Sequence, residues 1–210
     1  MIGSALASRL CDLGHEVIVV DNLSRGHREW VDPRATFVHH DLLGAPPAIS
    51  GPVHRVYQLA SRLGGVGEIK RSDFASMRNA TIDRHAFELA IVKGASVLYC
   101  STACVYRTDR QTQADNDRLM REDDALRDGA MPESTYGWYK IVAEESLRAL
   151  HRETGISCAI VRMFNAFGPH EHLDLESSHV IPALAMRAIQ SRGPLIVWGS
   201  GEQRRSFLFT

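Results

Sequence analysis

Five tyrosines and three lysines are scattered through 210 residues, so a Tyr-x3-Lys pair is expected about 0.07 times by chance. One occurs, in Tyr136-Gly137-Trp138-Tyr139-Lys140. Four positions apart on a helix, a phenol and an ammonium share one face. The same stripe continues through Ala143 and Leu147, which turns that face toward the protein. A cation beside a phenol favours the phenolate, and is expected to lower its pKa from about 10 toward neutrality. Such a phenol can act as acid and base near physiological pH. A second set lies in Cys100-Ser101-Thr102-Ala103-Cys104-Val105-Tyr106, leaving the carboxyl end of a predicted strand, where ligands of open α/β sheets sit. Thr102 is placed to hydrogen-bond the oxygen whose proton Tyr136 exchanges. Cys104 offers a thiol with an ordinary pKa of about 8.5, although a small buried side chain is the commoner fate of cysteine.

A third signal is the acid ending the predicted strand in Val20-Asp21-Asn22-Leu23-Ser24-Arg25-Gly26. A carboxylate there accepts both hydroxyls of an adenine ribose and repels a 2′-phosphate, which favours NAD over NADP. Asp-Asn is also an ordinary turn pair. Asp41, after His39-His40, is a further candidate for the adenine edge. Neighbouring strand residues point to opposite faces, so the two histidines make a poor metal pair. His170-Glu171-His172 reads as a solvated loop, and no metal site is expected.

These residues need elements to place them. Short β-rich runs alternate with helical patterns, the signature of a parallel sheet with crossover helices. A helix is predicted from Gly3 to Leu13, with Leu6, Leu10 and Leu13 on one stripe and Gly14 as its stop. Strands are predicted at Glu16–Asp21 (apolar on both faces and buried), Thr36–His39, Val53–Ala60, Ser96–Ser101 and Cys158–Arg162. Helices are predicted from about Phe74 to Lys93 and from Ser134 to Glu153. Beyond them, Ile181–Gln190 reads as helix, and Leu195–Trp198 and Ser206–Phe209 as short strands. Trp138 and Tyr139 suit either the core or a helix-pair dimer face, and core packing is the favoured expectation. Arg107 to Asp124 reads as a solvated insertion placed to cover a ligand. The fold class is α/β: a doubly wound, Rossmann-type parallel sheet over residues 1–165, then the beginning of a small substrate-binding lobe over 166–210. The helix at Gly3 lacks the strand and first glycines of a dinucleotide-binding βαβ unit, and a sheet without its first strand exposes unpaired edges. The expectation is a fragment, with its first strand missing and its C-terminal lobe incomplete.

Twenty-four basic and twenty-five acidic side chains give a net charge of −1, with no basic excess for nucleic-acid binding. Apolar runs are too short to span a membrane. Four cysteines without CxxC spacing suit a reduced, cytoplasmic setting.

Together these residues resemble the extended short-chain dehydrogenase/reductase family, in its NAD-dependent nucleotide-sugar epimerase/dehydratase branch. Met1-Ile2-Gly3-Ser4 resembles the end of that family's Gly-x-x-Gly-x-x-Gly turn, and Gly14 through Ser24 the stretch that follows. Leu59-Ala60 resembles the strand end beneath the nicotinamide ribose, with Leu42 beside the adenine. Thr102, Tyr136 and Lys140 take the places of the catalytic Ser/Thr, Tyr and Lys. Arg162-Met163-Phe164-Asn165 through Gly168-Pro169 resembles the loop reaching nicotinamide and sugar. Val180-Ile181-Pro182 and Trp198 through Phe207 resemble the segments that bind the nucleotide diphosphate, with Arg205 in the place of a phosphate-binding arginine.

Within the branch, dehydratases carry an Asp-Glu pair directly after the catalytic Thr, where this chain has Ala103-Cys104. The thiol and the Gly64-Gly65-Val66-Gly67 loop resemble the GDP-mannose 3,5-epimerases, in which a cysteine and a lysine exchange ring protons on opposite faces and Gly65 and Gly67 would border the sugar. The lysine's place falls near Val180, and His179 is the ionisable neighbour there. The resemblance implies an NAD-dependent epimerisation of a GDP-mannose-like nucleotide-diphosphate sugar through a transient 4-keto intermediate, in a homodimer. A 4-epimerase, reductase or decarboxylase of the same family, and an inactive fragment that no longer holds NAD, are the alternatives.

Overall fold

The structure is a computed structural model, describing all residues except 63–72, 108–119, 128, 130, 133, 172, 174–177 and 196–204. It opens with helix α1 (Ile2–Asp12), strand β1 (Ile18–Asp21) and strand β2 (Thr36–His39). Strand β3 (Arg55–Gln58), helix α2 (Met77–Lys93) and strand β4 (Ser96–Thr102) follow. A short helix α3 (Asp124–Arg127) precedes helix α4 (Thr135–Thr154) and strand β5 (Cys158–Met163). The C-terminal part holds β6 (Ala166–Phe167), helix α5 (Val180–Gln190) and β7 (Leu208–Phe209).

Among the described residues every strand pairing is parallel, as expected for a Rossmann-like α/β fold, and the ladders fall into three groups: β1 with β2, β3–β4–β5, and β6 with β7. Helices α2 and α4 pack side by side on β4. The alternation of β4 turns Val97, Tyr99 and Ser101 inward. Val97 and Tyr99 join Ala86, Phe87 and Ala90 of α2 and Ala143, Leu147 and Leu150 of α4 in the main core. Glycines in the left-handed region close both helices, Gly94 after α2 (φ 62°) and Gly155 after α4 (φ 73°).

Several expectations need correction. Strand β1 begins two residues late and is not buried, because it carries ladder bonds to β2 alone among the described residues. Leu13 lies beyond α1 and is exposed, leaving Ala7 as that helix's buried residue. Strand β3 is four residues long rather than eight. Trp138 does not enter the core: it is 45% exposed, since the stripe through Tyr136 and Lys140 takes the inward face of α4. The 107–124 segment is not wholly solvated, because Met120 and Ala125 pack with Val105, Tyr106 and Ile141 and Asp124 is buried. Asp124 accepts from the backbone N–H of Arg121 (2.9 Å), folding that stretch back on itself. Of the predicted strand at Leu195–Trp198, Leu195 is exposed and in no strand, and residues 196–198 lie outside the described residues, as do 108–119 beside Arg107.

Candidate active site

Helix α4 delivers the site. Ser134 caps it, its hydroxyl accepting from the Gly137 N–H at 3.4 Å. Tyr136, Lys140, Ala143 and Leu147 are all buried along one stripe, as the four-residue spacing predicts. Gly137 has no room for a side chain: a β-carbon there would collide with the carbonyl oxygen of Cys104 and with Pro132. Backbone therefore lies against backbone, and the first turn of α4 is seated beside the exit of β4.

At that exit the Thr102 side chain accepts from the Cys104 N–H at 3.2 Å, capping a 3-10 turn over Ala103–Val105. The acceptor role in that bond leaves the hydroxyl's own hydrogen available for donation. Lys140 Nζ donates to the carbonyl oxygen of Cys100 at 2.8 Å. It also lies 4.4 Å from the ring centroid of Tyr99 and 5.8 Å from that of Tyr136. Thr102, Cys104, Tyr136 and Lys140 are thus gathered between one strand end and one helix start.

The electrostatics correct one expectation. The Tyr136 phenol is held above, not below, its ordinary range: burial is the chief cause, the nearby Cys104, Cys100 and Asp83 add to it, and a hydrogen bond with Ser61 opposes it. Lys140 is itself pushed down by burial, while Asp83, Cys100 and Glu144 pull it back up. In a dry site, the desolvation of the phenolate outweighs a cation bonded to a carbonyl oxygen.

The cofactor candidates line the carboxyl ends of β1, β2 and β3. Asp21, at the end of β1, is exposed and its Oδ1 accepts from the Leu23 N–H at 2.7 Å. That bond holds Leu23 in the left-handed region (φ 55°). Asn22 accepts from the Ser24 N–H at 3.0 Å and reaches Asp41, whose Oδ1 also accepts from the Leu43 N–H at 2.8 Å. The carbonyl oxygen of Leu42 meets the buried ring of His85 from α2. Gly3, exposed on the first turn of α1, lies where an added β-carbon would touch Leu59 at 3.7 Å. Ala60 is exposed just beyond. An acceptor-only carboxylate, a glycine on an uncapped helix start and an open strand end are donors and acceptors that fit a dinucleotide.

Asn165 donates to the Ser206 carbonyl oxygen at 2.9 Å, tying the end of β5 to the C-terminal segment. His179 Nδ1 pairs with Glu171 Oε1 at 3.0 Å. Arg205 is exposed at the start of that C-terminal segment. Gly65 and Gly67 lie outside the described residues. The paired histidines each bind backbone, His39 the Asn22 carbonyl and His40 the Ala45 carbonyl.

Sequence reasoning missed the polar floor beneath Lys140. Asp83 of α2 accepts from Tyr99 Oη and Gln58 Nε2, both at 2.8 Å. Asn79, one turn earlier, accepts from the Arg62 N–H at 2.7 Å, and Ser61 meets both Asn79 and Tyr136. The signal was present: Asn79 and Asp83 share the stripe of Ala86, Phe87 and Ala90, so polar side chains sit on a core-facing helix face.

Known proteins carry similar chains. The family model described as the NAD dependent epimerase/dehydratase family matches residues 1–210. A GDP-mannose 3,5-epimerase of Arabidopsis thaliana is 30% identical over 212 residues, covering 99% of this chain and 55% of that protein. A GDP-L-fucose synthase of Sinorhizobium fredii is also 30% identical, over all of this chain and 64% of its own. The crystal structure of a UDP-galactose 4-epimerase superposes with a TM-score of 0.80 at 26% identity, over 100% of this chain and 64% of that one. The chain thus spans about half the length of the first of these relatives. No helix among the described residues is long and apolar enough to cross a membrane. Matched from its first residue to its last, the chain belongs to the NAD-dependent epimerase/dehydratase family.

Proposed function

We propose that this chain carries the reacting centre of an NAD-dependent nucleotide-sugar epimerase working through a 4-keto intermediate, with a GDP-mannose-like substrate. The observation that carries the reading is the seating of Tyr136 and Lys140, on one buried face, against the strand end that presents Thr102 and Cys104. Residues 1–165 serve as the cofactor-binding part and 166–210 as the start of the sugar lobe. Gly3, Asp21, Asn22, Ser24, Asp41, Leu42, Leu59 and Ala60 would hold the dinucleotide.

When bound, NAD supplies a hydride acceptor that later returns the hydride, and a positive charge that joins Lys140 in lowering the Tyr136 pKa. Tyr136 takes the proton of the C4 hydroxyl as the C4 hydrogen leaves. Thr102 donates its hydroxyl hydrogen to the same oxygen and steadies it. Lys140 keeps a positive charge behind the phenolate. The 4-keto group acidifies the hydrogens on C3 and C5; Cys104 would take one as a proton, and His179 or another group opposite would deliver a proton to the other face, inverting that carbon. Each positioned acid or base contributes roughly 10²–10⁴-fold. Tyr136→Phe in the whole protein should lower turnover by about that factor while nucleotide-sugar binding is retained, and a variant keeping most of its activity removes Tyr136 from the role. Mass spectrometry of the denatured protein should release NAD, and product analysis with GDP-mannose and UDP-hexoses identifies the sugar.

The pairing of His179 with Glu171 supports a second reading, inversion at C4 alone, which needs no base opposite Cys104. The exposed Trp138 and Val142 on the outer face of α4 support a homodimer, and four thiols without a disulfide support a cytoplasmic setting.

A further inference from the structure

We infer that Asp83 is a positioning residue that holds Lys140 in its charged state across the ring of Tyr99; this rests on the reading of Tyr136 and Lys140 as the proton-transferring pair. Asp83 is 3% exposed and Lys140 4%, on neighbouring helices that pack on the same strand. Lys140 Nζ lies 4.4 Å from the centroid of the Tyr99 ring, and the hydroxyl of that ring donates to Asp83 Oδ2 at 2.8 Å. The other oxygen, Oδ1, accepts from Gln58 at 2.8 Å.

The orientation of Gln58 favours the ionised carboxyl. Its Nε2 gives one hydrogen to the Ala60 carbonyl oxygen at 3.0 Å and the other to Asp83, so both carboxyl oxygens receive hydrogens. An ionised carboxylate accepts from both, whereas a protonated one would have to donate to the Tyr99 hydroxyl, whose own hydrogen would then need another acceptor. A buried ionised carboxylate needs a countercharge. Among the described residues, the titratable and charged groups that act on Asp83 or on its neighbours Tyr99, Tyr136 and Lys140 are Tyr99 and Cys100 from β4, Tyr136, Lys140 and Glu144 from α4, and Cys104 from the following turn. Lys140 is the cation of this set, while Glu144 is engaged by Arg162. The dependence is mutual. Burial pushes Asp83 up and Lys140 down, and each draws the other back toward its ionised form.

The floor also reaches the cofactor side, since Gln58 bonds the carbonyl of Ala60 at the strand end proposed to lie beneath the nicotinamide ribose. The hydrogen bonds of Asp83 among the described residues are with Gln58 and Tyr99; it acts through Lys140.

Three lysines fall within these 210 residues, and in ¹⁵Nζ-lysine NMR of the whole protein the Lys140 signal is assigned by its loss in Lys140→Arg. Asp83→Asn should lower the proton affinity of Lys140 about tenfold or more, one pKa unit, and Asp83→Glu should restore part of it. An unchanged Lys140 midpoint in Asp83→Asn overturns the proposal. Should that variant not fold, the native chain answers: the Asp83 ¹³Cγ signal must move with the Lys140 midpoint, and independent midpoints overturn the proposal. Neither readout uses turnover. A failure of the Tyr136→Phe test would therefore sink the reading of the reaction and leave this coupling standing.

Discussion

Residues 1–50 and residues 76–165 solve different problems. In the first stretch only Ala7, Ala35 and Pro47 are buried, and Asp21, Gly3 and Asp41 stand open to solvent. In the second, Val97, Tyr99 and Leu147 are sealed between β4 and the α2–α4 pair, together with Asp83, Lys140 and Glu144. Groups that recognise a ribose or a pyrophosphate must be reachable before the ligand arrives. Groups that trade protons must instead be desolvated and held, because their pKa values are set by burial and by fixed neighbours. The contrast separates recognition from proton handling along one chain.

Three substitutions sharpen or break this contrast. The largest effect is expected at Arg162, whose guanidinium grips both oxygens of the buried Glu144 at 3.0 and 2.7 Å. Arg162→Met strands that carboxylate with Ser101 and the more distant Arg148, and should cost about 3–5 kcal/mol at neutral pH, read as a shift in denaturant midpoint. Burial alone would raise the Glu144 pKa, but Arg162 and Ser101 hold it below the usual carboxylate range. In the native protein this contribution is therefore present above an unfolded pKa of about 4.3 and fades as pH falls through the lower folded value. In Arg162→Met the folded pKa rises instead, so the gap between the two proteins should narrow from pH 7 to pH 5. A constant gap would show that Glu144 is not the group responsible.

Gly137→Ala comes next. Its methyl group would meet the Cys104 carbonyl, so α4 must lift, at roughly 1–3 kcal/mol. Displacement of the phenol from Thr102 should lower turnover by roughly 100-fold. A variant with native stability and native turnover would show that the helix is not seated by this contact. The smallest effect is expected in the open half. Ile18, 41% exposed in β1, should tolerate Thr at a cost of about 0.5 kcal/mol, and a midpoint shift several times larger would mean that β1 is packed as tightly as β4.

The parts legible in the sequence were those set by local spacing. The register of Tyr136, Lys140, Ala143 and Leu147 follows from helical periodicity, and the emergence of Thr102 and Cys104 follows from where the β-rich run of β4 stops. Asp21 was legible for the same reason. What escaped was decided by tertiary neighbours. Asp83 and Asn79 stand on the core-facing stripe of α2, but their role emerges only when Gln58 of β3, Tyr99 of β4 and Ser61 just beyond β3 meet them. The direction of the Tyr136 pKa was missed because one i,i+4 cation was weighed without the desolvation around it. His179 could not be assigned from position alone, since Glu171 lies eight residues back and captures its ring.

The two-rung ladder between Ala166–Phe167 and Leu208–Phe209 also limits how the C-terminal part can diverge. The chain departs at Gly168 and returns to the same place at Phe207, with Thr210 closed over the glycine. Closing such an excursion costs entropy that grows only with the logarithm of its length. Related sequences can therefore lengthen or shorten it cheaply while Asn165, anchored at its base, keeps its station at the end of β5.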